Sequence, residues 1–160
     1  MPNWCMNSFS VEGDKETIDK FEAFLNEKDG KDWFDFFAPK PEGLSEDEHY
    51  GWNLENFGCK WNCDAQDWTR DGDKICFWFD SPWGPPTNLY YKIEEEFDLT
   101  VKAEFCEEGI GFVGEFIDGS EETYEYSDLD DLDDIPEHLL ENWNIRENME
   151  DRLENEEDDE

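Results

Sequence analysis

Apolar and polar residues alternate near the start of the chain. Cys5, Asn7, Phe9 and Val11 fall on one side, and Trp4, Met6, Ser8 and Ser10 on the other, so residues 3–12 are expected to form a β-strand. Asp14 follows Gly13 as a helix N-cap, with Thr17 three residues on. Ile18, Phe21, Phe24 and Leu25 then recur on one helical face and predict a helix ending near Gly30. Residues 31–56 lose this regularity. Trp33, Phe34, Phe36 and Phe37 lead into Pro39, Pro41 and an acidic stretch through Glu48, the pattern of a long loop with one short helix.

Residues 57–64 and 74–80 have the pattern of a strand pair. Ile75, Phe77 and Phe79 alternate with Cys76 and Trp78, and Arg70-Asp71-Gly72-Asp73 supplies a turn. The segment Ser81-Pro82-Trp83-Gly84-Pro85-Pro86 stops the strand, and a helix follows with Leu89, Ile93 and Phe97 on one face. Leu99, Val101, Ala103 and Phe105 alternate over 99–106; Gly109 turns the chain; 110–118 supply a partner strand and 122–127 a short edge strand. The order strand–helix–strand–strand–helix–strand with an extra hairpin predicts an α+β domain of ferredoxin-like (βαββαβ) type over 1–127. That name describes topology and implies no iron–sulfur cluster.

From 128 the pattern changes. Leu129, Leu132 and Ile135 are spaced by three within Asp-rich sequence, and Pro136 suits the first turn of a helix. Leu139, Leu140, Trp143, Met149 and Leu153 form a sparse apolar stripe, interrupted around Asn142 to Asn144. Residues 128–160 are thus expected to be an acidic helical extension. Its helix runs from about 136 to 154, docked at its N-terminal half and frayed from Glu154 to Glu160.

Charge alters this picture more than any other property. The chain has 47 Asp and Glu against 12 Lys and Arg, a formal net charge of −35 on 160 residues. Residues 128–160 hold 16 acidic and 2 basic residues, and the remainder 31 and 10, so body and extension are both acidic. Such a field repels nucleic acid, anionic lipid and phosphate-bearing substrates, and attracts basic surfaces at long range. Disordered acidic chains are poor in aromatics, whereas aromatics here are 16% of the residues, with eight Trp, thirteen Phe and five Tyr. No run approaches the roughly 18 apolar residues of a membrane helix, and Met1-Pro2-Asn3-Trp4 lacks a signal-peptide pattern. Five scattered cysteines fit reduced thiols, so a cytoplasmic location in a host cell is expected.

Four segments together resemble the YubB-like family of phage and conjugative-plasmid proteins. They are Pro2-Asn3-Trp4-Cys5-Met6-Asn7; Phe57-Gly58-Cys59-Lys60-Trp61-Asn62; Phe79-Asp80-Ser81-Pro82-Trp83-Gly84-Pro85-Pro86; and residues 105–115 from Phe105-Cys106-Glu107 through Val113-Gly114-Glu115. The resemblance spans about residues 2 to 118 and does not include the acidic extension. Position 59 is Cys where the family more often has Thr. The resemblance implies a ferredoxin-like fold and a mobile-element setting, and it carries no activity.

Candidate chemistry is sparse. Gly109-Ile110-Gly111-Phe112-Val113-Gly114 spells a dinucleotide fingerprint, but it sits in a β-hairpin pattern beside Glu107, Glu108 and Glu115. Close backbone packing is the expectation, and no cofactor is called for. Asp128 to Asp134 fails calcium-loop spacing. Cys59 and Cys63, with His49 or Cys76, lack a second ligand pair for zinc, and buried thiols are expected instead. His49 and His138 fit no nucleophile–base pattern. Among Trp33, Trp52, Trp61, Trp68 and Trp83, most are expected to anchor core or loops, with one or two free as interface hot spots.

The carboxylates remain. Duplex DNA carries one charge per roughly 3.4 Å along each strand, and helix positions i and i+4 lie about 5–6 Å apart. Glu137 and Glu141, Glu147 and Asp151, and Glu150 and Glu154 share that spacing. A helix of about 20 residues spans roughly 30 Å, near one duplex turn. The expected function is a non-enzymatic, DNA-mimic-type inhibitor from a phage or plasmid. It would bind a basic, nucleic-acid-binding host protein through Asp130, Asp131, Asp133, Asp134, Glu137, Glu141, Glu147, Glu150, Asp151 and Glu154. It would touch neither nucleic acid nor membrane. The oligomeric state stays open, a homodimer included. The alternatives are an assembly or accessory protein whose charge serves solubility, and a binder of a small defence signal at a pocket of Lys60, Arg70 and Lys74.

Overall fold

A computed structural model describes residues 3–158. β1 (Trp4–Glu12) and α1 (Lys15–Lys28) form where the alternation and the helical face place them. The Asp14 carboxylate accepts from the Thr17 amide at 3.0 Å, and Asp29 closes the helix in the left-handed region (φ 55°). Next come α2 (Phe34–Phe37), α3 (Glu46–Asn56), β2 (Gln66–Asp71), β3 (Lys74–Pro82), α4 (Thr87–Phe97), β4 (Thr100–Glu107), β5 (Phe112–Ile117) and β6 (Ser120–Glu125). A 3-10 helix (Leu129–Asp134), α5 (Glu137–Asn142) and α6 (Ile145–Asp158) complete the chain.

The strands make one sheet in the order β2-β3-β1-β4-β5-β6, with every pairing antiparallel. The first four stand in ferredoxin-like order, and β5 and β6 prolong the sheet beyond β4. Register puts Phe9 opposite both Phe77 and Ala103. One face therefore carries Phe9, Val11, Ile75, Phe77, Phe79, Val101, Ala103 and Phe116, buried against Ile18, Phe21 and Leu25 of α1 and Leu89, Tyr90 and Ile93 of α4. Each large apolar side chain so buried stabilises by about 1.5–3 kcal/mol. Trp33 is fully buried there, its ring centroid 4.8 Å from Phe9, 5.0 Å from Phe77 and 5.1 Å from Phe79.

Three expectations are corrected. Residues 57–64 are not a strand; β3 pairs instead with Gln66–Asp71. Gly58 adopts φ 90° against the α4 N-terminus, where a Cβ would sit 3.0 Å from the Asn88 amide nitrogen, and the chain beyond coils into a loop. β2 is an edge strand in which only Trp68 and Arg70 are half-buried and the rest are exposed, so it leaves no apolar alternation in the sequence. The stretch 31–56 contains two helices. α3 starts at a capping box in which Ser45 and Glu48 bond each other's backbone. The single helix expected over 136–154 is two, α5 and α6. The chain leaves the helical path at Trp143 (φ −108°, ψ 3°) and passes through Asn144 in the left-handed region (φ 51°), which Asn tolerates better than most residues. α6 continues through Asp158 without a break; residues 159 and 160 of the expected frayed end lie outside the described residues, as do Met1 and Pro2.

The period of three at Leu129, Leu132 and Ile135 matches the three residues per turn of the 3-10 helix. Leu132 and Ile135 join Leu139, Leu140, Trp143 and Ile145 in a second apolar cluster with Cys106, Val113 and Tyr126, against the sheet face that α1 and α4 leave free. Trp143 meets Trp78 edge-on, with ring centroids 5.7 Å apart.

Candidate protein-binding surface

Acidic helices lie here over an acidic sheet, and the polar contacts show how. Glu104 and Glu115 project from β4 and β5 toward the C-terminal elements, and Glu108 follows β4. α5 and α6 meet them with donors. His138 Nε2 lies 2.7 Å from Glu115, Asn142 Nδ2 donates to both Glu104 oxygens at 3.1 Å, and Asn148 Nδ2 donates to Glu108 at 3.0 Å. His138 and Asn142 are one helical turn apart, so they share a face of α5. The hydrogen bond that His138 donates to the Glu115 carboxylate holds its pKa above the ordinary 6.5, which favours the imidazolium as the partner of that carboxylate.

The apolar residues turn inward, the donors bridge to the sheet at the exposed margin, and the acids turn outward. Asp130, Asp133, Asp134, Glu137, Glu141, Glu147, Glu150, Asp151 and Glu154 are all exposed. Among the described residues only Glu137 of this group meets a cation, Arg146, at 3.8 Å. The three i, i+4 pairs fall within α5 or α6. Asp131 differs. It is half-buried, and its carboxylate accepts from the Ser127 and Asp128 amides at 2.8 and 3.2 Å, closing a capping box on the 3-10 helix and holding its pKa below the usual carboxylate value. Because the helix is broken, the acids do not follow one straight 30 Å line. α6 with its 14 residues spans about 21 Å and α5 about 9 Å.

Lys60, Arg70 and Lys74 are not brought together. Arg70 is tied to α1 through Asp19 at 2.7 Å, and Lys60 lies over the Trp83 ring at 5.0 Å. Lys74 instead borders an open groove of about 600 Å³ on the free sheet face, with Lys102, Ser8, Trp78 and His138. At the fingerprint-like glycines, the Gly109 and Ile110 amides donate to the buried Glu107 carboxylate at 2.8 and 2.6 Å, so donors that a phosphate would require are already engaged. A Cβ at Gly114 would collide with the Glu122 carbonyl and the Phe105 ring, which is why glycine stands there. Cys59 and Cys63 are buried, and among the described residues no three His, Cys, Asp or Glu side chains gather as a metal site. No helix among them is long and apolar enough to cross a membrane.

The fold defines a class, an α+β protein whose ferredoxin-like sheet bears a second helical layer. The chain belongs to the family described as the ferredoxin-like domain in Api92-like protein, which matches residues 57–156. That range runs from the end of α3 through most of α6 and takes in the acidic helices. The crystal structure of a protein Api92 from Yersinia pseudotuberculosis is similar in fold, with a TM-score of 0.53 and 11% identity over 80% of this chain and 99% of that one. No curated protein matches the chain.

Proposed function

We propose that this is a non-enzymatic binding protein of a phage or plasmid, of the YubB-like kind. It occupies the nucleic-acid-binding surface of a basic host protein in the host cytoplasm and inhibits it as a DNA mimic, in anti-restriction or other anti-defence work. The observation that carries the reading is the docking of α5 and α6. A mimic needs carboxylates fixed in space, and here buried Leu139, Leu140 and Trp143, with the surface contacts of His138, Asn142 and Asn148 to the sheet acids, hold the backbone that presents Glu137, Glu141, Glu147, Glu150, Asp151 and Glu154 to solvent. Charges presented this way steer a basic partner at long range and raise its association rate.

A second reading is favoured by a different observation. Exposed acids also crowd the first turn of α3 (Glu46, Asp47 and Glu48) and the edge strand β6 (Glu121, Glu122 and Glu125), outside the docked helices. Charge spread in this manner suits an assembly or accessory protein kept soluble by repulsion.

One experiment separates the two. The tagged protein is passed through host lysate at low salt and eluted with a salt gradient. The mimic reading expects one or two nucleic-acid-binding proteins that leave late and are displaced by duplex DNA. A broad set of basic proteins leaving together at modest salt, indifferent to DNA, would overturn it in favour of the second reading.

A further inference from the structure

At the end of the sheet where β1 begins, two tryptophans are exposed where a chain rich in burial sites could have hidden them. Trp4 is 49% and Trp61 40% exposed. Their rings stand edge to face, with centroids 5.9 Å apart and planes at 70°. Together they wall a recess of about 270 Å³ whose remaining lining includes Asp80, Asp64 and Gln66. Two aromatic walls near a right angle, with carboxylates beside them, make a receptor for an organic cation. The ring faces attract positive charge, and the carboxylates neutralise it.

The local sequence builds this corner. Trp4 sits opposite Pro82 and Met6 opposite Asp80, so Trp4 and Asp80 project from the same sheet face as diagonal neighbours. Trp61 comes from the loop between α3 and β2. Its carbonyl accepts from both buried thiols, Cys59 Sγ at 3.4 Å and Cys63 Sγ at 3.7 Å, which fixes the main chain while the indole stays outside. The adjoining Asn62 side-chain Oδ1 accepts from the Phe34 amide at 3.1 Å and ties the loop to α2. Asp64 accepts from the Asp32 amide at 3.0 Å. Among the described residues Asp80 meets no cation, and partial burial pushes its carboxyl above the ordinary value. Next door, the Lys60–Trp83 contact already places an ammonium on an indole.

The geometry points to an aromatic cage at Trp4, Trp61 and Asp80 that takes the guanidinium or ammonium of one Arg or Lys side chain on a basic partner protein. It anchors the register that the diffuse acidic surface cannot set. Aromatic side chains that take up a partner's residue are where interface energy concentrates, whereas rim charges mainly govern the rate of encounter. The partner as bearer of the cation rests on the proposed function; the recess as a cation site does not.

The test follows the indole N–H signals of the full chain by NMR during titration with N-acetyl-arginine amide, against neutral N-acetyl-glutamine amide at constant ionic strength. Saturable shifts confined to Trp4 and Trp61 are expected with the arginine probe alone. Asp80→Asn should weaken them about tenfold, and Trp61→Ala should abolish saturation at Trp4. Both positions are at the surface, and an otherwise unchanged spectrum verifies the fold of each variant. Shifts that grow linearly and alike at Trp78 and Trp83, or that persist undiminished in both variants, would overturn the cage. The same variants tested on the captured basic partner separate the two ideas. Undiminished affinity and unchanged dissociation of both variants would contradict an anchoring role, while saturable arginine binding with no basic partner captured would keep the cation site and remove the proposed function.

Discussion

Trp33 shows how far a single residue's role depends on contacts distant in sequence. It lies in a stretch without helical or strand period, yet it is fully buried between Phe9 of β1, Phe21 of α1 and Phe77 and Phe79 of β3. Its neighbours come from three elements, so no local period reveals its place at the centre of the core, whereas Trp61, also outside any strand or helix, lies at the surface. Replacing Trp33 by Ala should cost about 3–5 kcal/mol. Urea denaturation is the check, with the midpoint falling and the slope unchanged; a loss under about 1 kcal/mol would mean the ring is not the centre of the core. The same limit applied to the acids. Counting carboxylates could not reveal that Asp131 and Glu107 are spent on backbone amides, whereas Glu137 and Glu150 are not.

At the scale of elements, strands and helices with one buried face were legible, because burial leaves a period in the sequence. β1, α1, β3, α4, β4 and β5 lie close to their expected places. Two elements that bury little, α3 and β2, were missed, whereas the exposed edge strand expected over 122–127 forms as β6 at Ser120–Glu125. Among α3 residues only Asn53 is fully buried, so the helix is betrayed by Ser45 and Glu48 at its start rather than by periodicity. β2 half-buries only Trp68 and Arg70 and leaves no apolar alternation. The break between α5 and α6 coincides with the interruption of the apolar stripe near Asn142 to Asn144, a signal that was visible but does not by itself distinguish a gap in packing from a gap in the helix. The His138–Glu115 contact adds to the apolar docking of α5 through Leu139 and Leu140, and its pH dependence has a definite sign. A histidine whose folded pKa is raised stabilises the fold fully below its ordinary 6.5, and this contribution is lost as pH climbs through the folded value. An NMR titration of His138 should therefore give a pKa above 6.5, and Glu115→Gln should move it back down, with amide protection of α5 in the intact protein falling above the folded pKa. A His138 value at or below 6.5 would contradict the contact.

For the whole molecule, charge and topology carry different information. The order of elements was sufficient to place the chain in a ferredoxin-like α+β class, and the family match over 57–156 agrees with it. The net charge of −35 limits what can approach, but it names no partner. What the fold adds is orientation. The second helical layer is held by neutral or cationic donors over Glu104, Glu108 and Glu115, so its own acids point away from the sheet. A disordered tail of equal charge would attract basic proteins as strongly at a distance but would not present fixed positions.

The most direct test of that claim is the association rate with the basic protein captured from lysate. The intact chain is compared with one carrying Glu137→Gln, Glu141→Gln, Glu147→Gln, Glu150→Gln, Asp151→Asn and Glu154→Gln, over a series of salt concentrations. The account predicts that the substituted chain associates about tenfold more slowly at low salt, that the difference shrinks as salt screens the field, and that dissociation changes less than association. Equal association rates for the two chains at low salt would contradict it.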